Sequence, residues 1–122
     1  MEQKLSPFQQ EFIRDNAIVV LATVTNHTIP RAIFVAVNDV KEDQLIITDK
    51  QMYTTTQNLL DNPEVCILVS DQKYSFFLQI RGTVDYYIDG EYFDYVQKLP
   101  GNVGYEPKGA IVVKITKIQE GK

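Results

Sequence analysis

The sequence predicts a mainly β domain, a small antiparallel barrel of six strands with short flanking helices; a two-sheet sandwich is the alternative. Three observations lead there. The stretch Ser75–Ile88 alternates, with Phe76, Leu78, Ile80, Val84, Tyr86 and Ile88 on one side and Phe77, Gln79, Arg81, Thr83, Asp85 and Tyr87 on the other. That is the period of a strand with one face inward. Five shorter β-type runs, spaced by turn residues, occupy the rest of the chain. Gly82 interrupts the longest run, and a missing Cβ there marks a bend or a close backbone approach, as closing a barrel requires.

The elements follow in order. Ser6, Pro7 and Gln9 form a capping box with proline in the first turn, so a short helix begins there. Phe8, Phe12 and Ile13 give it an apolar face, and Asp15-Asn16 ends it. Ala17–Thr25 reads as a strand, Asn26-His27-Thr28 as a turn, Ile29–Val37 as a second strand with Pro30 at its edge, and Asn38–Asp43 as a polar turn. Gln44–Thr48 is the third strand. Tyr53–Asp61 is a helix that opens on threonines, which suit a first turn better than a helix interior, and Asn62-Pro63 stops it. Val65–Val69 is apolar on both faces and reads as a central strand. After the long strand, Asp89 caps a third helix with Tyr92, Phe93, Val96 and Leu99 on one face, Pro100-Gly101 ends it, and Ala110–Ile118 returns to the sheet.

A chain of 122 residues suits a single domain over 1–122. The net charge of −4 argues against nucleic acid as the main partner. No run approaches the ~20 apolar residues of a membrane span, and the first residues lack a signal peptide's apolar core. A lone cysteine, Cys66, fits a reducing compartment, so a cytoplasmic protein without membrane contact is expected.

With one histidine, His27, in a turn, and one cysteine in an apolar run, neither a zinc site nor a nucleophile–base pair can be assembled, and no catalytic side chain is singled out. What remains is Met52-Tyr53-Thr54-Thr55-Thr56-Gln57-Asn58, hydroxyl donors at the start of a helix just after a strand, with Lys50 close by. Free N–H groups and the positive dipole end make such a place suitable for a phosphate, although ordinary helix capping explains the same residues. Arg81 reads either as a surface charge paired with Asp85 or Asp89 or as a ligand contact.

Several segments carry a family resemblance: Val20-Leu21-Ala22-Thr23-Val24, Ile29-Pro30-Arg31, Leu45-Ile46-Ile47-Thr48, Asn58-Leu59-Leu60-Asp61-Asn62-Pro63-Glu64-Val65 and Leu78-Gln79-Ile80-Arg81-Gly82-Thr83-Val84. In this order and spacing the chain resembles the FMN-binding split-barrel family, which includes pyridoxamine-phosphate oxidases and small bacterial FMN-binding proteins. The resemblance implies a six-stranded split barrel with FMN in a groove shared by the two halves of a homodimer. It implies flavin contacts from Ile33, Phe34, Val35 and Ala36, from Thr48 and Asp49, from a phosphate turn at Met52, Tyr53, Thr54 and Thr55, and from Phe77 and Gln79. The C-terminal loop of the second subunit would add Tyr105 or Glu106.

The resemblance further implies an oxidoreductase in which the flavin carries the chemistry and exchanges electrons with a small molecule or a nicotinamide. The alternatives are a flavin-binding or electron-transfer module without turnover, the same fold around a deazaflavin or haem, and a barrel that has lost its ligand. The chain departs from its relatives in the phosphate turn, where threonines stand in place of a lysine. Affinity for a phosphate must then come from hydroxyls, backbone N–H groups, Lys50, Arg31 or Arg81.

Overall fold

A computed structural model describes residues 3–121 except Val103 and Tyr105. Six strands form a closed, wholly antiparallel barrel: β1 (Ile18–Val24), β2 (Pro30–Val40), β3 (Gln44–Asp49), β4 (Glu64–Ser70), β5 (Phe77–Tyr87) and β6 (Gly109–Gly121). The order around the barrel is β1-β2-β3-β6-β5-β4, with β4 pairing back onto β1. The barrel, rather than the sandwich, is the outcome. Three helices accompany it: α1 (Pro7–Asp15), α2 (Thr54–Asp61) and α3 (Gly90–Gln97).

The interior is filled by alternate residues of every strand, among them Leu21, Leu45, Ile47, Ile67, Leu78, Ile80, Ile111 and Ile115, all essentially inaccessible to water. The longest strands meet at Gly82, where the β5–β6 register shifts. A Cβ there would lie 2.4 Å from the Lys114 carbonyl oxygen, so the close backbone approach expected of Gly82 is real.

Each helix closes a different surface. In α1 the Ser6–Gln9 capping box is formed in both directions. Ile13 is buried, and Phe8 and Phe12 meet Phe76 edge-on. At the opposite end of the barrel α2 packs against β1 and β5, sends Leu59 into the core and bonds Asn58 Nδ2 to Thr23 Oγ1 at 3.2 Å. The last helix, α3, covers the outer face of β3, β5 and β6 through Tyr92, Phe93, Val96 and Leu99, which join Ile46, Ala110 and Val112 in a second, smaller core.

Four sequence expectations change. The second strand runs on to Val40, because a bulge between Val37 and Asp39 returns Val40 to the interior. Ile88 lies beyond the end of β5 and is exposed. Asp89 occupies the cap position of α3, but its side chain makes no capping bond. The strand apolar on both faces, β4, is paired on both sides, with β1 and β5, yet its outer residue Leu68 is exposed.

Leu68 belongs to a larger open face. Val20 pairs with Phe34 on one side and Leu68 on the other, which places the three in one row. Phe34 is 77% exposed and Ile18 66%. No helix is packed over this row among the described residues, in contrast to the face under α3.

Gly82→Ala should cost about 1–3 kcal/mol, because a backbone oxygen cannot yield to the new methyl group as a side chain could. Urea unfolding should show a lower midpoint with an unchanged slope; an unaltered midpoint would mean that the barrel relaxes at the bulge without penalty.

Candidate functional site

The β3–α2 turn is built around a buried carboxylate. Asp49, the last residue of β3, is fully inaccessible. Its Oδ1 accepts the Met52 N–H at 2.9 Å, and its Oδ2 accepts the hydroxyls of Thr56 and Tyr86, each at 2.6 Å. Its main-chain oxygen accepts the Lys108 N–H at 2.7 Å. A buried charge is tolerated when its lone pairs are satisfied in this way. The cluster joins β3, the turn, α2 and β5, and fixes where α2 begins.

Tyr86 feels the arrangement directly. Burial first, then the bond to Asp49 and the charge of that carboxylate, hold its phenol well above the ordinary range. Gly109 leaves room for the ring, since a Cβ there would lie 2.5 Å from it.

The start of α2 presents backbone donors. Its cap residue, Tyr53, makes no side-chain capping bond, so the first-turn N–H groups of an eight-residue helix are not covered from within. Arg31, from the start of β2, donates from Nε to Thr55 Oγ1 at 3.2 Å and so sets a guanidinium beside this turn. Lys50 donates to the Gly101 carbonyl at 3.2 Å, and the Lys108 ammonium donates to the Met52 carbonyl. Three cations thus stand around the segment Gln51–Thr56, which itself carries none.

An open cavity of about 330 Å³ runs along β2 to this turn, bordered by Phe34, Ala36, Asn38, Thr48, Lys50 and Met52 and also by Val35 and Gln51. Thr48 Oγ1 donates to Asn38 Oδ1 at 2.7 Å and accepts from Asn102 Nδ2 at 3.3 Å, which ties the wall of the cavity to the short helical turn Pro100–Asn102. A second cavity of about 650 Å³ lies on the uncovered barrel face, its largely apolar lining including Ile18, Val20, Leu68, Tyr74 and Phe77. Phe34 borders both, so the two are neighbours. At the rim of the larger one, Tyr74 is 82% exposed and adopts φ 57°, a conformation that β-hairpin turns usually give to glycine or asparagine. The Asp71 carboxylate closes that turn by accepting from the Ser75 N–H and hydroxyl, which lowers its pKa.

The residues singled out in the sequence divide accordingly. Phe34, Val35, Ala36, Thr48 and Met52 border the smaller cavity, and Phe77 the larger. Ile33 packs against the core. Asp49 is enclosed and shapes the turn from beneath, while Thr55, at 2% exposure, is the anchor for Arg31. Tyr53 and Thr54 are exposed at the helix start. Gln79 donates to Cys66 Sγ at 3.4 Å and borders neither cavity. Tyr105 lies outside the described residues. Of the cations weighed in the sequence, Arg31 and Lys50 reach the turn region. Arg81 is exposed on β5, and the expected partner Asp85 pairs with Lys114 instead, at 2.6 Å. Lys108, Asn38 and Asn102 are not marked by the sequence, because only folding brings them together: β2–β3 pairing sets Asn38 beside Thr48, Asn102 reaches the same hydroxyl, and Lys108 meets Met52 just before β6. Among the described residues no group of three or more His, Cys, Asp or Glu is placed to hold a metal ion, and no helix is long and apolar enough to cross a membrane.

Fold and site together define an antiparallel barrel with a donor-lined turn at the end of an open trough. The sequence profile described as pyridoxamine 5'-phosphate oxidase matches residues 5–120, so the chain belongs to the pyridoxamine 5'-phosphate oxidase family. It is similar to the uncharacterized protein MJ0282 of Methanocaldococcus jannaschii, 32% identical over 109 residues that cover 85% of this chain and 72% of that protein. Among solved structures, the HupZ protein of Group A Streptococcus superposes with a TM-score of 0.83 at 18% identity, over 93% of this chain and 91% of that one. An FMN-binding protein from Syntrophomonas wolfei superposes with a TM-score of 0.77 at 18% identity, over 93% and 83% of the two chains.

The half-buried Tyr86 phenol makes stability depend on alkaline pH. The folded chain holds the Tyr86 proton to higher pH than the unfolded chain does. Its contribution is therefore complete below the unfolded value of about 10 and is lost as pH rises through the folded value. Denaturant unfolding across this range should show stability falling above about pH 10, with a shallower fall in Tyr86→Phe. That variant should itself lose about 1.5–3 kcal/mol at neutral pH, the usual worth of a hydrogen bond to a charged group.

Proposed function

We propose that the protein is an FMN-binding flavoprotein that acts as an oxidoreductase from a homodimer. One observation carries the reading: the trough along β2 ends at a turn where the uncapped start of α2 and the Arg31 guanidinium, anchored on Thr55, stand together. Backbone N–H groups at a helix start and a charged planar donor suit a phosphate monoester. Phe34, Val35 and Ala36 supply a largely apolar strand edge beside it, against which a planar ring system can lie. The neutral Thr54 and Thr55 give weaker bonds than a lysine would, and Arg31 supplies the charge from β2.

The homodimer has its own support. The smaller cavity is open and at the low end of the volume range of ligand sites, so one chain supplies only part of an enclosure. The adjoining face carries Ile18, Phe34 and Leu68 exposed together, the kind of apolar surface that soluble chains bury against a partner. A second copy across this face would bring its own Phe77 and Tyr74 toward the trough. Bound FMN supplies hydride and single-electron chemistry at its ring. The chain's own residues hold the phosphate, orient the ring and exclude water from one face, and none is required as an acid or base.

Purified protein should absorb at flavin wavelengths, or take up added FMN, and release FMN on denaturation. A colourless chain that binds a deazaflavin but not FMN sinks the FMN assignment. Arg31→Leu should weaken FMN binding by about tenfold or more, the equivalent of one charge-assisted hydrogen bond, with little change in thermal stability. Sedimentation velocity should find a dimer at micromolar concentration, and Ile18→Glu with Leu68→Glu should convert it to a folded monomer that holds FMN poorly. Stopped-flow reduction by NADH or NADPH then decides between turnover and a binding module.

A further inference from the structure

We infer that Lys108 is the cation that replaces the turn lysine for the ligand's phosphate, delivered from the segment that leads into β6 rather than from the turn itself. The inference rests on the flavin reading above and names a residue that neither the sequence motifs nor the family turn contain.

Charge makes the case. A buried carboxylate, Asp49, lies directly beneath the β3–α2 turn. Its negative charge opposes a second anion placed on the turn, and its donors are neutral N–H and O–H groups that do not cancel that charge. A seat for a phosphate here needs positive charge held close. The turn Lys50–Thr56 offers one cation of its own, Lys50, and that side chain reaches the Gly101 carbonyl. Arg31 approaches from the β2 side, at Thr55.

Lys108 approaches from the β6 side and is fixed to the turn twice. Its N–H donates to the Asp49 main-chain oxygen at 2.7 Å, and its ammonium donates to the Met52 carbonyl. The first bond falls just past Asp49–Gly109, the last β3–β6 pair, and holds the backbone of Lys108 at the end of β3, so the reach of its side chain follows. An ammonium has three donors, and Met52 takes one. The side chain remains exposed, able to turn its other donors toward an anion at the neighbouring helix start. Arg31 and Lys108 would then flank the turn from opposite sides and supply the charge that its threonines do not.

The test compares FMN with riboflavin, which differ by the phosphate alone, in fluorescence titrations of the full chain. Lys108→Met should lower FMN affinity by about tenfold at low ionic strength, leave riboflavin affinity unchanged, and approach wild type as salt is raised. Lys108→Arg should retain FMN affinity, and Lys108→Gln, which keeps a donor for Met52 but no charge, should behave like Lys108→Met. Lys117→Met, which removes the same charge from an exposed position far along β6, should bind FMN as wild type does. Thermal melts accompany each variant.

Three results with the Lys108 variants overturn the inference. The first is FMN bound by Lys108→Met as tightly as by wild type. The second is an equal loss of FMN and riboflavin in that variant. The third is full FMN affinity in Lys108→Gln. The first assigns the residue no part in binding, and the other two assign it to turn geometry. Wild-type protein that binds riboflavin and FMN equally removes the phosphate seat and the inference with it. Protein that binds neither overturns the flavin reading itself, so the two failures are distinguishable.

Discussion

The Asp49 carboxylate is the point on which the turn, the second helix and two distant strands depend. It is wholly buried, and donors from Met52, Thr56 and Tyr86 converge on it. Removing it would take the acceptor from the Met52 amide and the half-buried Tyr86 phenol and leave the Thr56 hydroxyl only its longer bond to the Met52 carbonyl, so the cluster holds together as a unit. A chain of constraints runs through it. Gly109 has no Cβ, so the Tyr86 ring fits; Tyr86 reaches Asp49; Asp49 holds Met52; and Met52 sets the position at which α2 starts. The open N-terminus of α2 is therefore placed by packing against the barrel wall, and not by local helix preference, which three consecutive threonines do little to support.

The outer surface of the barrel is divided between covered and open faces. A closed barrel has no free edges, so its faces are what remain to be covered. Over β3, β5 and β6 the cover is α3, whose aromatic face meets Tyr87 and Val112. Over β1, β2 and β4 there is no such cover among the described residues, and Ile18, Phe34 and Leu68 face outward together. The proposed dimer places the ligand trough at the margin of that face, where Phe34 belongs to both cavities. Partner contact and ligand contact then share a residue, which couples assembly to binding on this reading.

Positive charge gathers at the turn through tertiary structure. Arg31, Lys50 and Lys108 are far apart in sequence and come from the start of β2, the turn itself and the approach to β6. In a chain with net charge −4, a local concentration of cations around one turn is a specific feature and not a consequence of general basicity. On the proposed reading it supplies the charge that the helix start, with hydroxyls alone in the sequence, does not carry.

The strands and their inward faces are written in the order of residues, because side-chain alternation has the period of the strand and needs no knowledge of neighbours. The alternation along β5, the Ser6–Gln9 capping box, the α3 face and the tight approach at Gly82 are all legible there. So is membership of the family, through the spacing of short motifs. Irregularities and long-range partners are less legible. The bulge that carries β2 on to Val40 reads as a polar turn, and the exposed Leu68 reads as buried. The burial of Asp49, the anchoring of Arg31 on Thr55 and the arrival of Lys108 at Met52 emerge only in the folded chain. The physical reason is that a hydrogen bond between residues tens of positions apart leaves no periodic trace along the chain. It exists only once barrel closure has set the two backbones side by side.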